Sequence, residues 1–257
     1  MLQRAFAEVA LIGVVGGLLG CWLVFYELSY STESLAHALF PGLVGAALLG
    51  APLLLGATAG IVVAALSVAV AGRVPAVGHD TAVAVVVTAL LGLGVLLALS
   101  PTSPPGLQGL LFGDILGVSD GDLVLAGGLA VLLAVALRFL HGPLLAVGFD
   151  RASASSLGAS PLLVDGALLV LLAAAIVVAV QGLGNLLVVA VLIGPAATAR
   201  LMAHRMRSMM GLSCAIAVLG GAAGLYLSYY AGTAAGASIA AVLVACFLAA
   251  RAAYAVA

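Results

Sequence analysis

Nine apolar runs of about twenty residues, separated by short polar breaks, leave a chain of this kind few ways to fold. The runs cover roughly 5–26, 33–52, 54–72, 80–99, 121–140, 162–181, 184–203, 209–230 and 236–255. At 1.5 Å per residue, about twenty helical residues cross a hydrocarbon layer roughly 30 Å thick. The ten-residue alternation of an outer-membrane barrel is not visible. Hydrophobic residues make up 65% of the chain and charged residues 7%. A soluble domain has about 25% charged residues, so this chain cannot cover itself in water. The expected fold is all-α: a polytopic integral membrane helical bundle with eight or nine transmembrane segments, forming a single domain over residues 1–257. The first run leads straight into further spans and reads as a span, not as a cleaved leader.

The few charges carry the next inferences. The 8 basic residues are all arginine. A P-loop needs a lysine for its phosphates, so this chain is not expected to be an ATPase. A net charge of −1 leaves no footprint for nucleic acid. Cys21, Cys214 and Cys246 are scattered through apolar runs and read as packing residues, without a disulfide frame or zinc knuckle. Arg73, Arg138, Arg151, Arg200, Arg205, Arg207 and Arg251 fall at or near one set of span ends. The opposite loops, 100–120, 181–184 and 230–236, hold no basic residue. The positive-inside rule makes the arginine side cytoplasmic, and the C-terminus with it. Nine crossings then put the N-terminus outside, with Arg4 as the exception, and eight put both ends inside.

Within this apolar background, the stretch from Glu33 to Gly42 stands out. Glu33 and His37 are one helical turn apart and share a face. Pro41 has no N–H for the His37 carbonyl, so the helix is weakened there, and the second span reads as short, broken at Pro41-Gly42 and partly re-entrant. Ionisable residues within spans are expensive and mark sites. A carboxylate and an imidazole suit divalent Mn, Fe or Zn. The alternative is a Glu–His hydrogen bond or a glutamate at headgroup level, and ion binding is preferred because intramembrane charge is usually functional.

Other polar groups have structural readings. Asp120 and Asp122 flank the start of a span and are expected to cap it. Asp80 is expected to cap another. Gln181 and Asn185 bracket a tight glycine turn, which suggests solvated amides. Asp114 lies in the outer loop, either as a gate on the access path or as a solvated carboxylate. Leu110 to Gly117 could form a short amphipathic piece. The inner loop runs from His141 to Asp165, and in it Asp150 or Ser153 is placed to cap a short helix that Gly158 ends. Small residues four apart, as at Gly16 and Gly20, Gly56 and Gly60, Gly220 and Gly224, and Gly232 and Gly236, suggest close helix packing.

These blocks together resemble one family. Glu33-xxx-His37-xxx-Pro41-Gly42 is similar to the Asp-xxx-His-xxx-Pro-Gly pattern of the manganese, zinc and iron ABC importer permeases, the ABC-3 family. The resemblance extends through Asp80-Thr81-Ala82, Leu111 to Ser119 with Asp122-Leu123, Phe149-Asp150 with Leu157-Gly158, Pro195 to Arg200, and Leu227 to Tyr230. It implies an importer permease for Mn2+ or Zn2+, or for Fe2+, in a bacterial-type plasma membrane. It also implies a second copy of the chain, two cytoplasmic ABC ATPases that use the ATP, and an extracytoplasmic metal-binding protein. The metal is cargo, and no permanently bound cofactor is expected. Glu33 and His37 match the family's intramembrane metal positions, with Glu where the family usually has Asp. The segment containing Phe149, Asp150, Arg151, Ala152, Leu157 and Gly158 matches the coupling helix that docks on the ATPase. An ion-coupled secondary cation transporter using the same pair is the rival reading. An intramembrane metalloprotease would need a fuller ligand set such as HExxH, and none occurs.

Overall fold

A computed structural model describes residues 2–71, 79–100, 113 and 115–256. Arg73, Asp114, the stretch 101–112 and the side chain of Asp80 lie outside the described residues.

Each apolar run becomes a helix, and no strand occurs among the described residues. The long helices are α1 (Leu2–Phe25), α2 (Ser29–Leu48), α3 (Leu53–Ala71), α4 (His79–Ala98) and α5 (Asp120–Phe149). A short α6 (Arg151–Ala154) precedes α7 (Pro161–Leu183), α8 (Asn185–Met202), α9 (Met206–Ala231) and α10 (Ala235–Val256). By length and composition, 5 of the described helices suffice to cross a bilayer: α1, α5, α7, α9 and α10. The segment at 115–117 is a single 3-10 turn.

Helix α1 is the centre of the bundle, packed by α5, α7, α8 and α9. Its Ala5, Val9, Ile12, Leu19, Trp22 and Leu23 are all buried. Helices α2, α3 and α4 form a second group, which meets the first where α2 touches α7 and α8. Apolar positions such as Leu66, Val131 and Leu162 stay exposed, as expected of a bundle whose surroundings are themselves apolar.

Helix α2 differs from the sequence expectation. It is continuous through Pro41 and is not broken. Gly42 is there for packing: a Cβ on it would run into the Gly56 carbonyl and come within 2.8 Å of the Gly60 Cα. The backbones of α2 and α3 thus touch, and this contact supports the turn that Pro41 weakens. The Gly232–Gly236 pair is likewise not a packing stripe, because Gly232 ends α9 in the left-handed conformation, at φ +65.

Helix α5 also outruns its expected span. The loop predicted from His141 is helical as far as Phe149, with Pro143 inside it. At 30 residues the helix is longer than a bilayer requires, and its last turns project beyond the core. Buried Leu144 and Val147 hold those turns, and the Tyr26 hydroxyl donates to the Leu144 carbonyl at 2.8 Å.

At the opposite end of α5, Ser119 and Asp122 close a reciprocal capping box. Asp120 does not cap. It pairs with Arg4 at 2.9 Å, which gives the exceptional arginine of the sequence a carboxylate partner.

Candidate metal centre and coupling segment

Helix α2 places Glu33 and His37 on one face, as their spacing requires. Glu33 Oε1 stands 3.8 Å from His37 Nε2, too far for a hydrogen bond. The two side chains differ in setting: His37 is 19% exposed and Glu33 57%. The imidazole faces the bundle interior and the carboxylate is open.

The other ring nitrogen meets a residue that sequence reasoning assigned to a solvated turn. Asn185 Nδ2 lies 3.3 Å from His37 Nδ1. Asn185 is fully buried, and its Oδ1 has no hydrogen-bond partner. The turn between α7 and α8 is a single residue, Gly184, at φ 76, a conformation open to glycine. Asn185 therefore opens α8 and is carried inward against α2, while Gln181 bonds back to the Val177 carbonyl at 3.3 Å. The only sequence signal for this was an asparagine directly after a glycine at a helix start, which reads equally well as a cap or a turn.

A second residue went unread. Glu8, on α1, is 1% exposed, and its Oε2 has no hydrogen-bond partner. It lies against Gly182, where an added Cβ would sit 3.2 Å from Glu8 Oε1. No group of three or more His, Cys, Asp or Glu residues that could enclose a metal occurs among the described residues. Asp114, the proposed gate, lies outside them.

The inner segment expected to couple to an ATPase forms a short capped helix. Asp150 Oδ1 accepts from the Ala152 N–H at 3.0 Å and the Ser153 N–H at 3.3 Å, capping α6. Hydrogen bonds from Ser153 and from the Ala152 backbone hold the Asp150 carboxyl below the usual carboxylate range. A 3-10 turn follows at Ser155–Leu157, and Gly158 closes it at φ 77. Ala154 is buried as the anchor, and Arg151 pairs with Asp165. The apolar side chains at either end face out: Phe149 is 79% exposed and Leu157 73%. The Phe25 ring packs edge-on to Phe149 at 5.5 Å.

Residues 1–253 match the family described as ABC 3 transport. The chain is 34% identical over 238 residues to the manganese import system permease protein ScaB of Streptococcus parasanguinis, covering 93% of this chain and 85% of that one. It is 33% identical over 230 residues to the chelated iron transport system membrane protein YfeC of Yersinia pestis, covering 89% and 78%. Its fold superposes on a chain of PsaBC from Streptococcus pneumoniae, solved in complex with Fab, with a TM-score of 0.90 at 31% identity, covering 97% of this chain and 90% of that one. The packed helices, the pair on α2 and the agreement along nearly the whole chain lead to one conclusion: this protein is a multi-pass membrane protein belonging to the ABC 3 transport family.

Proposed function

We propose that this chain is the permease of an ABC importer for a divalent transition metal, with Mn2+ as the first candidate, and that Glu33 and His37 bind the metal on its path. The observation that carries the site is the position of His37: its ring sits at the junction of the two helix groups, with one nitrogen toward Glu33 and the other held by buried Asn185. A cation bonded to both groups at about 2.1 Å would set the two ligand atoms about 3.0–3.4 Å apart. The observed 3.8 Å needs only a small side-chain rotation to reach that spacing.

Asn185 would act through the ring. A metal-binding imidazole keeps its other N–H donating to an acceptor. The amide has two nearly isosteric orientations. The one that presents Oδ1 to Nδ1 satisfies the orphaned oxygen and turns the Nε2 lone pair toward Glu33. Metal binding selects that orientation.

The rest of the assembly follows the family. A second copy of the chain completes the pathway, and two ATPases in trans supply the ATP hydrolysis that drives alternating access. The exposed Phe149 and Leu157 flank the docking helix, and an extracytoplasmic protein delivers the metal. The end bearing α6 and the C-terminus is then cytoplasmic, and the end bearing the Arg4–Asp120 pair is outside. Relatives named for manganese and for chelated iron support a first-row divalent cargo.

The test is radiolabelled Mn2+ uptake by the permease reconstituted with its ATPase, comparing wild type, Glu33→Ala and His37→Ala. Both variants are expected to lose at least ten-fold. Uptake at wild-type level in both would remove the site. Uptake that persists without any ATPase would favour the ion-coupled secondary transporter instead.

A further inference from the structure

We infer that the cavity between α1, α5 and α9 binds a phospholipid with an anionic headgroup. The cavity has a volume of about 410 Å³ and lies apart from the Glu33–His37 site. Leu18, Leu137 and Met210 form an apolar wall, and Arg138, His141 and Arg207 line the same space. Cationic and apolar walls facing one cavity at the side of a membrane bundle match a lipid, with phosphate at one end and acyl chain at the other.

Depth supports the assignment. Arg138 stands about 27 Å along α5 from Asp120, close to one hydrocarbon thickness. Arg207 is the second residue of α9, at the same end of the bundle. Both guanidinium groups therefore lie at headgroup level. Phe139 and Val135 on α5 are exposed, so this helix presents an open apolar surface next to the cavity.

Charge supports it as well. Among the described residues, neither Arg138 nor Arg207 has a carboxylate partner. At this end of the bundle Asp165 is engaged by Arg151, and Asp150 by the N–H groups of α6. The His141 ring packs edge-on to Trp22 of α1 at 5.3 Å and lines the cavity beside the two arginines. Two arginines lining one space suit a phosphate. Basic pockets between transmembrane helices hold anionic lipid headgroups by the same physics.

The full chain, purified in mild detergent, is titrated with phosphatidylglycerol or phosphatidylcholine and bound lipid is counted by native mass spectrometry. Wild type is expected to take up phosphatidylglycerol at least ten-fold more tightly, with millimolar inorganic phosphate failing to displace it. Arg138→Gln/Arg207→Gln should abolish the preference, and Arg251→Gln, at an exposed arginine elsewhere, should keep it. Equal binding of the two lipids by wild type overturns the inference without any variant. Full displacement by inorganic phosphate also overturns it, since the site would then hold a free anion. A double variant that retains the preference would do the same.

Discussion

Asn185 reaches His37 across 148 positions of sequence, with Nδ2 3.3 Å from Nδ1. One residue opens α8, the other sits within α2, and the contact joins the two helix groups of the bundle. A metal bound to His37 would therefore feel the relative position of both groups.

The contact predicts an ordering of variants. Asn185→Leu removes the ring's partner and should weaken apparent Mn2+ affinity about 10–100-fold, the usual effect of losing an outer-shell hydrogen bond. Asn185→Asp keeps an acceptor for Nδ1–H and should stay within a few-fold of wild type. Uptake measured across Mn2+ concentrations separates affinity from turnover. If Asn185→Asp is as damaged as Asn185→Leu, the amide N–H is the functional group and Oδ1 does not face Nδ1.

Packing between α2 and α3 gives a stability prediction. Gly42→Val drives a side chain into the Gly56 carbonyl and the Gly60 Cα, and should destabilise by about 1–3 kcal/mol, the ordinary range for overpacking. Gly45→Ala, on the same helix, meets nothing within 4 Å and should be neutral or slightly stabilising. Thermal unfolding in detergent compares the two directly.

The cap on α6 predicts a pH response with a definite sign. The Asp150 carboxyl is held below its ordinary value, near 3.9 for a free aspartate, by the hydrogen bonds it accepts. Its stabilising effect is present above that ordinary value and is lost as pH falls through the lower folded value. The protection of residues 150–158, taken as their amide exchange rate relative to the intrinsic rate at each pH, should thus be constant from about pH 8 to pH 5 and be lost only in stronger acid. Asp150→Ala should exchange fast at neutral pH and lose permease-stimulated ATP hydrolysis several-fold, whereas Asp150→Asn, also a good cap, should retain most of both.

Orientation is open to chemical labelling. In a cysteine-free background, Ala234→Cys lies exposed in the link between α9 and α10, and Ser156→Cys lies exposed in the coupling segment. A membrane-impermeant maleimide applied to intact cells should label Ala234→Cys and spare Ser156→Cys. The reverse pattern would invert the proposed topology.

Much of the fold was legible before any coordinates. Hydrophobic run length is a local property, and each of the nine runs became a helix of 18 residues or more. The Asp150 cap and the Gly158 stop were equally readable, because both act within one turn of their own position. The readings that failed were those in which a local rule competes with packing. Pro41 weakens α2, but the helix continues through it against the close Gly42–Gly56 contact. The inner loop was expected to begin at His141, but Leu144, Val147 and the Tyr26 hydroxyl extend α5 to Phe149.

The sequence alone determined an apolar all-α membrane chain and paired Glu33 with His37 on one helix face, since both follow from spacing along the chain. Only the tertiary structure decided what stands on the other side of the ring. Asn185 and Glu8 are polar residues near helix ends, where the sequence allows water to solvate them. Both are buried because α1 is enclosed and the turn at Gly184 delivers Asn185 against α2. Burial of a polar group depends on which helices surround it, and the run of residues along its own helix does not specify that.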